Sequence, residues 1–250
     1  MSAPEVSAQT DVLTWSQLLQ SATRLLRLSA RVTFQRKFLF MFGAVGLFYA
    51  FIYTIAVYEP NPGFGVEDAL IIFVEMPGAI AAIYLTMDLV AKERDRQTLE
   101  TLYSTASSHY MIWMVRLMSV FAVVLSTLLI LSTVSYFIFA EFPFIRGAFN
   151  AFVPAAVMVA VTFYAAWWTR GANTAGMISV GIFFFVLSLT EEFENTTYWL
   201  FLNPFADPVG GTDLFWTDRI IMNRLGYLAF AAMLVFLGLR RMERRERFLN

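Results

Sequence analysis

The sequence predicts an all-α integral membrane protein: six transmembrane helices behind an N-terminal amphipathic interfacial helix, with both termini cytoplasmic. Three observations carry this prediction. The 250 residues are 58% hydrophobic and 17% aromatic, with a mean hydropathy of +0.62. Several apolar runs reach the roughly 20 residues needed to cross a hydrocarbon core about 30 Å thick. Lysine and arginine gather on alternate connections between those runs, as they do on the cytoplasmic side of membrane proteins.

Residues 1–13 are polar and read as a flexible N-terminus. Residues 14–37 read as an amphipathic helix. Thr14 and Gln17 have capping-box spacing, Trp15, Leu18, Leu19, Ala22, Leu25 and Leu26 share one face, and Arg24, Arg27 and Arg31 share the other. A helix with a basic polar face and an apolar opposite face lies in the headgroup layer. Residues 38–250 then form the six-span domain, with spans at about 38–58, 69–91, 111–140, 149–168, 172–189 and 220–239. The third is longer than a bilayer requires, so it either tilts or protrudes. The stretch 190–218 contains an apolar piece, Tyr198–Phe205, too short to cross, and Pro204, Pro208, Gly210 and Gly211 interrupt it. It reads as an external re-entrant or interfacial segment.

Orientation follows from the basic residues. Placing the N-terminus, the stretch 91–116, the turn at Arg170 and the C-terminus on one side puts 15 of the 18 Lys and Arg there. The other side keeps Arg146, Arg219 and Arg224 and collects ten acids, among them Glu59, Glu141, Glu191 and Asp218. The basic-rich side is the cytoplasmic one. The first 37 residues lack the apolar core and small-residue cleavage site of a signal peptide, so the chain is expected to sit, multi-pass, in the cell's inner (plasma) membrane.

Composition also excludes functions. With no cysteine and one histidine, His109, the chain has neither thiolate chemistry nor the ligands of a usual zinc or copper site. No basic excess points to nucleic acid. None of the 13 glycines precedes a lysine, so no phosphate-binding loop is present and ATP is not bound in that manner.

The densest charge between two spans is the stretch 92–106. As a helix it sets Asp95, Leu99, Leu102 and Tyr103 along one side, with Glu93, Arg96 and Glu100 around it. Basic residues alone would satisfy orientation. Alternating acids and a small leucine stripe suit a groove in a soluble partner instead. The sequence ERDRQTLETLYST (93–105), between the second and third spans, resembles the coupling segment of ABC type-2 transporter permeases. The matching positions are Glu93, Thr98, Leu99, Glu100, Leu102, Ser104, Thr105, Ser108 and Arg116. Gln97 stands where glycine is common in that family and Ala106 where proline is common, which makes the helix more continuous. The order of elements resembles the family too: an amphipathic helix, six spans and a broken external segment before the last.

The resemblance implies a permease subunit of an exporter that docks cytosolic ABC ATPase subunits through Glu93, Arg94, Thr98, Leu99, Glu100, Leu102 and Tyr103. ATP and magnesium would belong to the ATPase, with no cofactor and no enzymatic activity in this chain. A second permease copy or paralogue would complete the pathway as a homodimer or heterodimer. The alternative is a non-transporting membrane scaffold that docks a cytosolic partner.

Within the spans, Glu75 and Pro77 are the candidate pathway residues. Glu75 lies six residues into the second span, about 9 Å along a helix, and a carboxylate at depth is costly enough to be functional. Pro77 and Gly78 would kink the helix and turn carbonyls toward a hydrated cavity. The other reading starts the span later and lets Glu75 reach the outer headgroups. Gly43 and Gly46, and Gly176 and Gly181, permit close helix approach, but neither spacing is the GxxxG pattern and the phenylalanine-rich faces around them read as plain lipid or packing surface.

Overall fold

The structure, a computed structural model, describes residues 40–55, 58, 65–95, 109–169, 171–193, 196–205 and 216–246. Those residues form helices and connecting turns, with no strand among them. In chain order the helices are α1 (Phe40–Ile55), α2 (Val66–Leu70), a π turn (Ile71–Glu75), α3 (Met76–Asp95), α4 (His109–Ile138), α5 (Phe144–Trp168), α6 (Ala172–Ser188), α7 (Thr190–Phe193) and α8 (Trp216–Glu246). Four stretches are long and apolar enough to cross a membrane: Asp68–Met87, Trp113–Ile138, Phe144–Trp168 and Trp216–Arg241. α1 and α6 are apolar and shorter. This is the architecture of a membrane protein.

Helix α5 is the hub. Small residues crowd it (Ala148, Ala151, Ala155, Ala156, Ala160, Ala165 and Ala166 are all buried), so neighbouring backbones come close. It packs against α3, α4, α6 and α8, and 78% of its apolar window is covered, against 22% for α8. Polar residues inside the helices are mostly spent on their own helix. Thr86, Ser119, Thr127, Thr162 and Ser179 donate to the carbonyl four residues earlier at 2.7–2.9 Å. A hydroxyl bonded this way adds no donor to the apolar surroundings.

Helix α5 begins at Phe144, five residues before the position expected from sequence. Pro143 precedes it in extended conformation (φ −62°, ψ 91°) and the Ser132 hydroxyl donates to the Phe144 carbonyl at 2.7 Å, closing the α4–α5 turn. Gly147 is required there, because a Cβ would stand 2.6 Å from the Phe142 ring. α8 likewise starts earlier, at Trp216, and runs to Glu246.

Of the four glycines that permit close approach, one shows it and three lie on open surface. A Cβ on Gly176 would meet the Met87 sulfur at 2.9 Å, whereas Gly43, Gly46 and Gly181 have nothing within 4 Å. Their surroundings are open because α1 and the outer face of α6 are exposed along those positions. An unexpected contact is Gly238, where a Cβ would lie 2.9 Å from the Phe163 ring. Gly43→Ala should therefore leave stability within about 0.5 kcal/mol of the parent. Gly238→Ala should lower it by about 1 kcal/mol as the ring is displaced. Thermal unfolding in detergent compares the two, and equal midpoints would mean that the α5–α8 contact is looser than described.

The amphipathic segment 14–37 and most of the segment 92–106 lie outside the described residues. Of the docking candidates, Glu93 and Arg94 are on the last turn of α3. Thr98, Leu99, Glu100, Leu102 and Tyr103 lie outside the described residues.

Candidate functional site

The π turn sets the site. Five residues, IIFVE, are wound with one extra residue in the turn, and the Met76 amide donates to the Ile71 carbonyl five positions back. Pro77 follows at once. Having no N–H, it cannot serve the Phe73 carbonyl four residues earlier. That carbonyl instead accepts the hydroxyl of Tyr49, a buried residue of α1. The same hydroxyl lies 3.0 Å from the Ser135 hydroxyl on α4. Around this junction the Phe73 and Phe139 rings stack with centroids 3.8 Å apart, and Tyr49 leans on both. Sequence reasoning places the irregularity at Pro77–Gly78 with carbonyls open to water. The structure places it just before Pro77, with the freed carbonyl covered by a side chain.

The extra residue turns Glu75 inward. It is fully buried, and its Oε1 accepts from the Asn150 amide at 2.9 Å. The Asn150 carbonyl oxygen accepts from Arg224 Nε, also at 2.9 Å. Asn150 therefore stands between a carboxylate and a guanidinium, donating to the first and accepting from the second. Burying an acid or a base alone at this depth is costly. Burying both with an amide between them, each hydrogen-bonded, offsets much of that cost. Glu75 thus neither faces a hydrated opening nor reaches toward the end of its helix; it is enclosed by protein. Its Oε2 has no partner.

Arg224 does more than balance the charge. Its two terminal nitrogens donate to the carbonyls of Leu200 (2.8 Å) and Leu202 (2.5 Å). One residue earlier, the Asn223 amide donates to the carbonyls of Thr197 (2.6 Å) and Trp199 (2.9 Å). One turn later, the Tyr227 hydroxyl donates to the Tyr198 carbonyl at 2.5 Å. Three side chains of α8 thus hold five carbonyls of a non-helical segment, 196–205. Irregular backbone survives in an apolar surround only when its polar groups are met like this. Trp199, Leu200, Phe201 and Leu202 of the segment are buried, and Phe201 meets Phe183 of α6 edge-on at 6.0 Å.

Glu75 and Pro77 are close in sequence but face different surroundings. Pro77 lines an apolar cleft of about 580 Å³ between α1 and α3, with Phe48, Met76, Ile80 and Tyr84. Asn150 and Arg224 are the residues sequence reasoning missed. Arg224 is counted there among the external charges, yet it is only 9% exposed and nine residues into α8. The available signal was a basic residue inside an apolar run, as unusual as the acid at Glu75. Among the described residues no group of three or more His, Asp or Glu is placed to hold a metal.

The opposite end of the bundle is aromatic and basic. Trp113 meets Trp167 edge-on at 5.4 Å, the Arg116 guanidinium lies 5.6 Å from the Trp113 ring, and that of Arg241 lies 3.4 Å from the Trp168 ring. Such arginines cover apolar rings while keeping their charge near the interface. No family model, curated protein or solved structure matches the chain.

Proposed function

We propose that the chain is the membrane-spanning permease of an ATP-driven type-2 ABC exporter, with six spans and both termini in the cytoplasm. ATP and magnesium are handled by separate cytosolic ATPase subunits, and a second permease copy or paralogue completes the pathway across the inner (plasma) membrane. The observation that carries this reading is the motif at 93–105 between two membrane-crossing helices. α3 runs unbroken from Met76 to Asp95, so the first motif residues ride on the same rod as Glu75 and a push on the segment is delivered into the bundle. Charge supports the orientation: exposed Asp68, Glu141, Glu192 and Asp218 outnumber the exposed Arg146 and Arg219 at the end nearer the Glu75 network, and Arg116, Arg240 and Arg241 are at the other.

Leu99 tests the reading. Fully burying one leucine contributes about 1.5–3 kcal/mol, and a loss of about 1.4 kcal/mol is tenfold in affinity. Leu99→Asp is therefore expected to weaken ATPase association at least about tenfold while membrane insertion persists. The measurement is co-purification of the ATPase with tagged permease, alongside ATP-driven turnover in vesicles. Full co-purification and turnover in the variant would remove the docking assignment. An ATPase that binds the parent chain but moves nothing would favour a scaffold.

A further inference from the structure

The geometry points to the cleft between α1 and α3 as a binding site for one phospholipid acyl chain, which ties the first helix to the bundle. The inference needs only the membrane architecture and goes beyond the transport reading.

Both walls of the cleft have the same register. α1 supplies Phe40, Met41, Ala44, Val45 and Phe48, and α3 supplies Met76, Pro77, Ile80, Ala81 and Tyr84. Each set follows i, i+1, i+4, i+5, i+8, which is one face of a helix. The rings of Phe48 and Tyr49 lie 6.5 and 5.7 Å from that of Phe73. This sets the Phe48 end of one stripe beside the Met76 end of the other, and leaves Phe40 and Tyr84 at the far end. Large side chains thus stand at both ends, with Ala44 and Ala81 in the middle. The ends act as spacers, the middle stays open, and the cleft holds about 580 Å³. Phe40, Phe48 and Ile80 are 75%, 36% and 46% exposed, so the mouth faces sideways into the surrounding lipid.

Size and chemistry select the occupant. Eight residues of helix are about 12 Å long, close to half of a hydrocarbon core about 30 Å thick. A helix about 10 Å wide would need roughly 900 Å³ over that length, more than the cleft holds. An extended peptide would bring N–H and C=O groups that the walls cannot meet, because Tyr84 is the only polar side chain on them. Water finds no better partners, and apolar cavities stay dry. A methylene chain carries no polar group, is narrow enough to enter, and restores the dispersion contacts that bare walls would lack. No cationic side chain stands on the walls to meet a free fatty-acid carboxylate. The occupant is therefore the chain of a phospholipid whose headgroup stays at the membrane surface. It fills the space beyond the hydrogen bond from Tyr49 to the Phe73 carbonyl.

The probe is a phosphatidylcholine with a photoactivatable diazirine midway along one acyl chain, mixed into vesicles that hold the full-length protein. Half of each sample is extracted and washed in detergent before irradiation, and adducts are mapped by peptide mass spectrometry. In the parent protein, washed adducts on the two stripes should exceed those on the exposed α6 residues Ile182 and Phe185 by at least about fivefold. Ala44→Phe should lower the washed stripe adducts by at least about fivefold and leave α6 adducts in unwashed vesicles unchanged. Ala44 is exposed at the mouth, so the added ring enters the cleft without displacing a buried side chain. Ala81→Phe should act in the same way from the opposite wall, and the proposal stays testable through Ala44→Phe if that buried change does not fold.

Washing that removes stripe and α6 adducts alike would reduce the cleft to ordinary bilayer contact and overturn the proposal. Full stripe labelling in Ala44→Phe would do the same. Stripes that stay unlabelled in unwashed vesicles, while α6 labels, would mean that a second copy or another protein covers the cleft, and would also overturn it. Neither ATPase nor turnover enters the measurement, so the transport reading stands or falls separately.

Discussion

Arg224→Met is expected to destabilise the protein by about 3–5 kcal/mol, the range for removing one partner from a buried ionic arrangement. The side chain that replaces it fills similar space but offers no donor. Glu75 is then left fully buried with its compensating cation gone, and the Asn150 oxygen and the Leu200 and Leu202 carbonyls lose their hydrogen bonds at once. Glu75→Leu should fall in the same range from the other side, stranding the guanidinium. The informative variant is the double one. With both charges gone, neither is left uncompensated, and apolar replacements of a buried pair are often well tolerated. Glu75→Leu/Arg224→Met should therefore cost about 2 kcal/mol less than the two single changes added together, within the coupling seen for residues in one network. Reversible unfolding in mixed micelles measures all three. Strict additivity would mean that Asn150 insulates the two charges instead of joining them.

The second large effect is expected at Tyr49. Its hydroxyl covers the Phe73 carbonyl that Pro77 cannot reach, and it also meets Ser135. Removing it takes a hydrogen bond from a buried carbonyl in apolar surroundings, at a cost of about 1–2 kcal/mol. Tyr49→Phe keeps the ring packed on Phe73 and Phe139, so the loss is confined to the hydroxyl. Pro77→Ala restores an amide that can serve the carbonyl from within the helix. Tyr49→Phe/Pro77→Ala should accordingly be more stable than Tyr49→Phe, although Pro77→Ala alone changes little. If Pro77→Ala gives no rescue, the hydroxyl is stabilising through Ser135 and not through the proline gap.

Much of the scaffold is legible along the chain because a membrane-crossing helix is a local property. The helices expected around Met111–Ala140 and Ala172–Leu189 lie within two residues of those bounds because a run of apolarity defines them, and of the two the first is long and apolar enough to cross a membrane. Helix starts were less legible. The stretch Glu141–Gly147 carries an arginine and a glycine and reads as a short turn, yet α5 begins within it at Phe144 because Pro143 and Ser132 close the preceding corner. Glu75 stands out as an acid in an apolar run. Its partners do not, because Asn150 and Arg224 are 75 and 74 positions further along in turn and meet it only through the crossing of three helices. Arg224 was hidden further by Arg219, which makes the start of α8 look like an ordinary charged boundary. The clasp on 196–205 is invisible for the same reason: carbonyls carry no side-chain identity, so nothing in Thr197–Leu202 announces that its backbone needs outside donors.

The π turn can also be understood as a count of residues. An α-helix advances about 100° per residue, so one surplus residue inside a span would ordinarily swing everything beyond it to a different face. At Ile71–Glu75 the surplus is absorbed within a single turn. The residues of α3 keep their facing toward α5, and only the stretch ahead of Met76 is re-aimed. The acid and the packing surface of this helix are thus separate inheritances. One residue lost between Ile71 and Glu75 would leave the bundle's main seam intact and still part the carboxylate from Asn150, and a related chain lacking that residue would carry the same fold without its buried acid in place.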